Sequence, residues 1–234
     1  MRKTVSSLIV VLLLGLAVLA QTPVPPLSVT YVSNSSGPNL APVNLTSSGG
    51  TISVYNLEST TQNPRWKAYV GNITGKLSLS DAASKSLFDW NIAITTGEIY
   101  ATRNSSSVSW ENIACASNAN VAAEQQALNH NHTAEDNINR TFNQTNHNAF
   151  YVGITPISAN SCKTVHLNVN NTFQTTRWGE VLLYDGNTML YTGLIENNAI
   201  GFNNQTYDYQ LLLAENAAEG NQPATPYYFY IELV

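Results

Sequence analysis

The chain predicts a mostly β protein, an antiparallel β-sandwich of immunoglobulin-like or jelly-roll-like kind. Three observations carry that expectation. Short apolar segments alternate with polar residues at period two, as half-buried strands do. Turn residues recur at intervals of about 8–15 residues. Helix-forming residues are concentrated in one stretch, NANVAAEQQALN at 118–129, between Cys115 and Cys162.

The first twenty residues, MRKTVSSLIVVLLLGLAVLA, have a basic start and an uncharged apolar run from Leu8 to Ala20. That run is short for a membrane span and suits a secretory leader, with small residues at Val18 and Ala20 and a mature start at Gln21. Residues 21–50 are then expected to be a tail. TPVPP at 22–26 is stiff and extended, and LSVTYV at 27–32 places Leu27, Val29 and Tyr31 on one face of a strand. The Ser-, Asn-, Gly- and Pro-rich residues 33–50 read as a flexible linker.

From 51 to 234 the pattern is that of the sandwich. TISVYN at 51–56 alternates, and WKAYVGNITGKLSLSDA at 66–82 reads as two strands about a Gly-Asn turn. In SLFDWNIAI at 86–94, Phe88, Trp90, Ile92 and Ile94 share a face, which predicts a half-buried strand with Trp90 in the core. GEIYAT at 97–102 follows. Asp185-Gly186 between two apolar runs predicts a hairpin, since that dipeptide accepts positive φ. TYDYQLLLAE at 206–215 and TPYYFYIELV at 225–234 complete the strands. One or two short helices are expected between the cysteines, the second capped at Thr133 with acids in its first turn.

The stretches WKAYVGNITGKLSLSDAASKSLFDW, GEIYAT, EVLLYDG, GFNNQTYDYQLLL and YYFYIEL resemble a group of secreted archaeal surface glycoproteins of uncharacterised function. The resemblance covers roughly residues 60–234, both cysteines included, and leaves the tail outside. It implies a shared fold and an archaeal envelope setting, and it carries over no catalytic residue.

Composition narrows the partners. Charged residues are only 11%, and losing Arg2 and Lys3 with the leader takes the net charge from −5 to −7. No Lys/Arg cluster faces a polyanion, so nucleic acid and anionic lipid are not expected partners. In an exported chain Cys115 and Cys162 are expected to form one disulfide closing a loop of about fifty residues. Nine Asn-x-Ser/Thr sequons follow the leader, at Asn34, Asn44, Asn72, Asn104, Asn131, Asn139, Asn143, Asn170 and Asn204. On a translocated chain these are expected acceptors of N-linked glycan.

The stretch 129–148, NHNHTAEDNINRTFNQTNHN, gathers His130, His132, His147 and Asp136, a conceivable metal set. Sequons at Asn131, Asn139 and Asn143 interleave with those ligands, so a solvated, sugar-bearing loop is the expected reading. No nucleophile elbow, HExxH, P-loop or dinucleotide fingerprint occurs. Glu98, Asp89, Glu111, Glu180 and Asp208 supply acids for glycoside chemistry, without a pattern that pairs any two. Asp185, Asn187 and Asp208 near turns are expected to serve those turns rather than calcium. No catalytic residue, cofactor or metal is therefore expected.

The function expected is structural: a secreted subunit of a filament or surface coat, built as a homopolymer by tail-strand donation to a neighbour. The alternative is a monomeric surface module that binds carbohydrate through exposed aromatics, with Trp66, Trp90, Trp110 and Trp178 beside twelve tyrosines.

Overall fold

GEVLLY and MLYTGL are buried along almost their whole length, apolar almost without alternation, and they form the centre of the molecule because both of their faces are covered. The computed structural model describes residues 22–38, 40–92, 95–216 and 224–233. The expected leader, Gln21 and Ile94 lie outside them.

In chain order the elements are β1 (Trp66–Gly71), β2 (Lys76–Ser80), β3 (Ser86–Asn91), β4 (Gly97–Thr102), β5 (Ala114–Cys115), α1 (Asn118–Ala127), α2 (Ile138–Thr141), β6 (Phe150–Val152) and β7 (Thr155–Ile157). There follow β8 (Thr164–His166), β9 (Gly179–Tyr184), β10 (Met189–Leu194), β11 (Ala199–Ile200), β12 (Thr206–Tyr207), β13 (Tyr209–Ala214) and β14 (Tyr228–Leu233). The main sheet runs β14-β4-β10-β9-β5, with β8 also on β9, and every described pairing is antiparallel.

Alternate residues of that sheet feed two cores. Ala101, Leu182 and Tyr191 pack with Leu211 and Leu213 of the β1–β13 pair and with Ile138 and Phe142 of the helical segment. Tyr100, Val181, Leu183 and Leu190 point the other way, onto Phe150, Val152 and Ile157 of the β6–β7 hairpin. The protein is thus an antiparallel β-sandwich with two short helices between its disulfide-linked cysteines.

The expected 185–186 hairpin forms: β9 pairs β10, and Gly186 has φ 91°. Other pairings differ from expectation. β1 and β2 are both strands, but they diverge at the Gly-Asn step: β1 pairs β13 and β2 pairs β3. The expected strand at 51–56 does not form; Ile52 and Val54 are exposed, and among the described residues the first strand begins at Trp66. Local alternation there meets no sheet edge to pair with. The second helix is capped by Asn137, not Thr133. The Asn137 side chain accepts from the Arg140 N–H and donates to the carbonyls of His132 and Ala134, which closes the preceding turn. Among the described residues no helix is long and apolar enough to cross a membrane.

Candidate functional site

The histidines of 129–148 fold into separate duties. Buried His130 donates from Nε2 to the Glu215 carbonyl at 2.7 Å, and burial, the largest effect, pulls its pKa down. His132 meets Gln125 at 3.1 Å. His147 donates from Nδ1 to the Asn148 carbonyl, while its Nε2 accepts the Ser161 and Cys162 N–H groups at 3.2 and 3.0 Å. Asp136 pairs with Arg65. Among the described residues no three His, Cys, Asp or Glu side chains are grouped as a metal site would need.

The turn acids are likewise engaged by backbone. Asp185 accepts from the N–H groups of Asn187 and Thr188 within its hairpin turn. Asp208, buried, accepts from Ile73 at 2.7 Å and Asn198 at 2.8 Å, tying the exit of β1 to the 196–199 turn. Replacing Asp208 by Ala orphans two N–H donors that the carboxylate satisfies. We expect a loss of about 3 kcal/mol in a denaturant titration, against less than half that for Asp208→Asn, which keeps an acceptor oxygen.

Two acids that sequence spacing could not pair come together across strands. Glu98 of β4 and Glu232 of β14 are register partners, and both are buried. Glu232 accepts from the Gly153 N–H and the Tyr100 hydroxyl at 3.0 Å each. Burial, then the neighbouring Glu232 charge, pushes Glu98 up to about 8. Glu98 therefore holds a proton at neutral pH, and Glu232, with its donors, is the better anion. Glu180, also buried, accepts only the Leu212 N–H, its Oε1 has no partner, and burial raises its pKa well above the ordinary value. Glu111 lies in a short 3-10 turn after Ser109.

The disulfide joins Cys115 to Cys162 with Cα atoms 4.9 Å apart. All nine sequon asparagines lie outside the strands; Asn139 is in the first turn of α2 and the others are in loops and turns. Asn104 is half-buried, and Asn34, Asn44, Asn72, Asn131, Asn139, Asn143, Asn170 and Asn204 are exposed.

Exposed apolar side chains occur along 24–57, on the β2–β3 hairpin and singly elsewhere, and two of these stretches bear on the expected functions. Residues 27–32 form no strand, and Leu27, Val29 and Tyr31 are 99%, 83% and 77% exposed. The tail's one main-chain bridge lies upstream: Val24 donates to the Ile231 carbonyl at 3.0 Å and accepts from the Ile231 N–H at 2.8 Å, on the outer edge of β14. The second place is the β2–β3 hairpin, where Leu77 faces Trp90 and Leu79 faces Phe88 across the strands. Contrary to the core role expected for Trp90, it is 50% exposed, edge-on to Phe88 at 4.9 Å. Trp66, Trp110 and Trp178 are instead taken into the packed domain, Trp178 donating to the Ile200 carbonyl. Lys76 bridges Asp89 on the polar face of the hairpin and holds that carboxyl well below its usual range.

Compared with protein-family models, with curated proteins and with solved structures, the chain finds no match.

Proposed function

We propose that the protein is a non-enzymatic structural subunit of an extracellular filament or surface coat, in which the tail of one copy adds a strand to the next. The observation that carries this reading is the tail itself. Its alternating apolar residues Leu27, Val29 and Tyr31 find nothing to pack against in their own domain, and an apolar alternating segment left in water is a strand awaiting a sheet. The described residues of 33–65 contain no strand, and the segment spans up to roughly 110 Å when extended, enough to reach a neighbour. Head-to-tail donation of this kind is heterologous and grows a fibre when the rotation does not close. Exposed sequons outside the strands are compatible with an N-glycosylated, secreted surface protein, the setting implied by the archaeal resemblance. The tail-deleted chain lacking 21–33 is expected to stay monomeric in electron micrographs under conditions where the full chain forms fibres. Fibres from the deleted chain would refute strand donation.

A second reading, a carbohydrate-binding module, rests on Phe88 and Trp90. They offer exposed ring faces on a hairpin whose other face is polar. Under it, Trp90→Ala abolishes sugar binding and the tail deletion leaves that binding intact.

A further inference from the structure

We infer that the outer edge of β14 is the acceptor for the donated strand, and that residues 22–26 hold this edge in the unassembled chain as a short, displaceable clip. The inference rests on the strand-donation reading and names its docking surface; the occupant is the 27–32 segment of a second copy.

β14 ends the main sheet, with β4 on one side only. Because Ile231 turns both its N–H and its C=O to Val24, the alternation of an antiparallel ladder turns those of Phe229 and Leu233 the same way. Among the described residues Val24 makes the single main-chain bridge on this side. The side chains tell the same story. On β4, one strand further in, Ile99 and Ala101 are buried, whereas Phe229, Ile231 and Leu233 on β14 remain half-exposed. Phe229 leans on Tyr69 of β1 at 5.4 Å, so this apolar row lies on the face of the main sheet that packs toward the β1–β13 pair. One more strand would cover it further.

The chain's own tail is seated on this edge, but its sequence limits how far it can zip. Continuing the antiparallel register from Val24↔Ile231 brings Pro26 opposite Phe229, and Pro26 has no N–H to donate. Pro23 and Pro25, on either side of Val24, turn their nitrogens away from β14, and Val24 is the one described tail residue paired there. Prolines on an edge block runaway pairing, and two hydrogen bonds are easily displaced. The 27–32 segment is proline-free and six residues long, matching the six of β14. In the same antiparallel sense it sets Leu27, Val29 and Tyr31 opposite Leu233, Ile231 and Phe229, on the half-exposed apolar face. Val24 of one copy and Val29 of its neighbour would then compete for Ile231, so the clip opens as the polymer grows.

Hydrogen exchange on polymer and monomer of the full chain tests this. In polymer, the amides of Phe229, Ile231 and Leu233 and those of 27–32 are expected to exchange about 100-fold more slowly than in monomer. Protection of the tail with β14 unchanged, for example on the β2–β3 hairpin instead, would overturn the acceptor while leaving strand donation standing. An unprotected tail in polymer, or no polymer at all, would remove the donation reading and this inference with it. Independently, Ile231→Pro deletes an outward N–H on an edge strand, where proline is tolerated. It is expected to slow polymer growth about tenfold with little change in the monomer's melting temperature. Growth at the normal rate from a folded I231P chain would again exclude this edge; if I231P misfolds, the exchange experiment decides alone.

Discussion

Replacing Cys115 and Cys162 together by alanine is expected to lower the melting temperature by roughly 8–16 °C. The bond closes a loop with a sequence separation of 47, and loop closure of that length restrains the unfolded chain by about 4 kcal/mol. A domain of this size loses about 2–4 °C per kcal/mol. The loop contains α1, α2, β6 and β7, so it supplies part of the cover on one face of the main sheet, Ile138 and Phe142 beside the β1–β13 pair, and the β6–β7 hairpin on the other. The loop is also tied to the rest of the domain by His130 to Glu215, Asp136 to Arg65 and Gly153 to Glu232. Cys115 sits on β5 at the margin of the main sheet, and the Cys162 N–H rests on His147. Calorimetry of the variant beside the oxidised wild type gives the difference directly. A drop of only 1–2 °C would mean that the loop is already restrained in the unfolded ensemble, and the entropic account would fail.

How much of this was legible in the sequence depends on whether a residue's role is local. The β9–β10 hairpin was, because Asp185-Gly186 sets its own turn. The α1 helix was too, because its helix formers are gathered at 118–129, where Ser117 and Asn120 close a reciprocal cap. The strands β4 and β14 were visible as periodic segments, but not that they pair with each other across more than a hundred residues. The β2–β3 hairpin shows the limit of periodicity. Its alternation is as regular as that of a half-buried strand, yet Trp90 and Phe88 face outward, because nothing in two strands says whether a third layer covers them. The same holds at 27–32 and 51–56, where alternation without a sheet edge gives exposed, extended chain. The cap at Asn137 was missed because Thr133 offered an equally good local signal, and the choice was made by where Phe142 and Ile138 must enter the core.

The buried acids were invisible for a related reason, and they produce the second large effect. Glu98 occupies a position in GEIYAT that alternation assigns to a polar face, and only the pairing of β4 with β14 places Glu232 opposite it. Stability is expected to fall as pH rises from about 6.5 to 8. The folded pKa of Glu98 is raised from 4.5 to about 8 by burial first and by the Glu232 charge second. Those of Glu180 and Glu232 are raised in the same direction, mainly by burial. Below 4.5 such a group is protonated folded or unfolded and costs nothing. Above it the unfolded chain ionises while the folded chain keeps its proton, so stability drains away at about 1.4 kcal/mol per pH unit for each group until the folded pKa is reached. His130 and His166, lowered by burial, act oppositely but only below their ordinary value of 6.5, where the unfolded chain binds protons they cannot. Between 6.5 and 8 the acids act alone. Glu98 by itself accounts for about 2 kcal/mol over that interval, or roughly 4–8 °C.

Glu98→Gln isolates that contribution, since the amide keeps the shape and can still face Glu232 without carrying charge. Thermal melts from pH 5 to 8.5 are expected to show a shallower decline for the variant, with E98Q above wild type at pH 8 and close to it at pH 5. The consequence reaches the proposed assembly. Glu98 and Glu232 face each other as register partners of β4 and β14, so the proton on Glu98 keeps a second buried charge away from the strand on whose outer edge the neighbour's tail is placed. Deprotonation at alkaline pH sets two buried charges against each other across that pair. Polymers should therefore lose their ends faster at pH 8.5 than at pH 6.5, and E98Q polymers should not. If E98Q melts with the wild-type slope and is no more stable at pH 8, Glu98 does not hold the proton and β14 is fastened by its ladder with β4 and by packing.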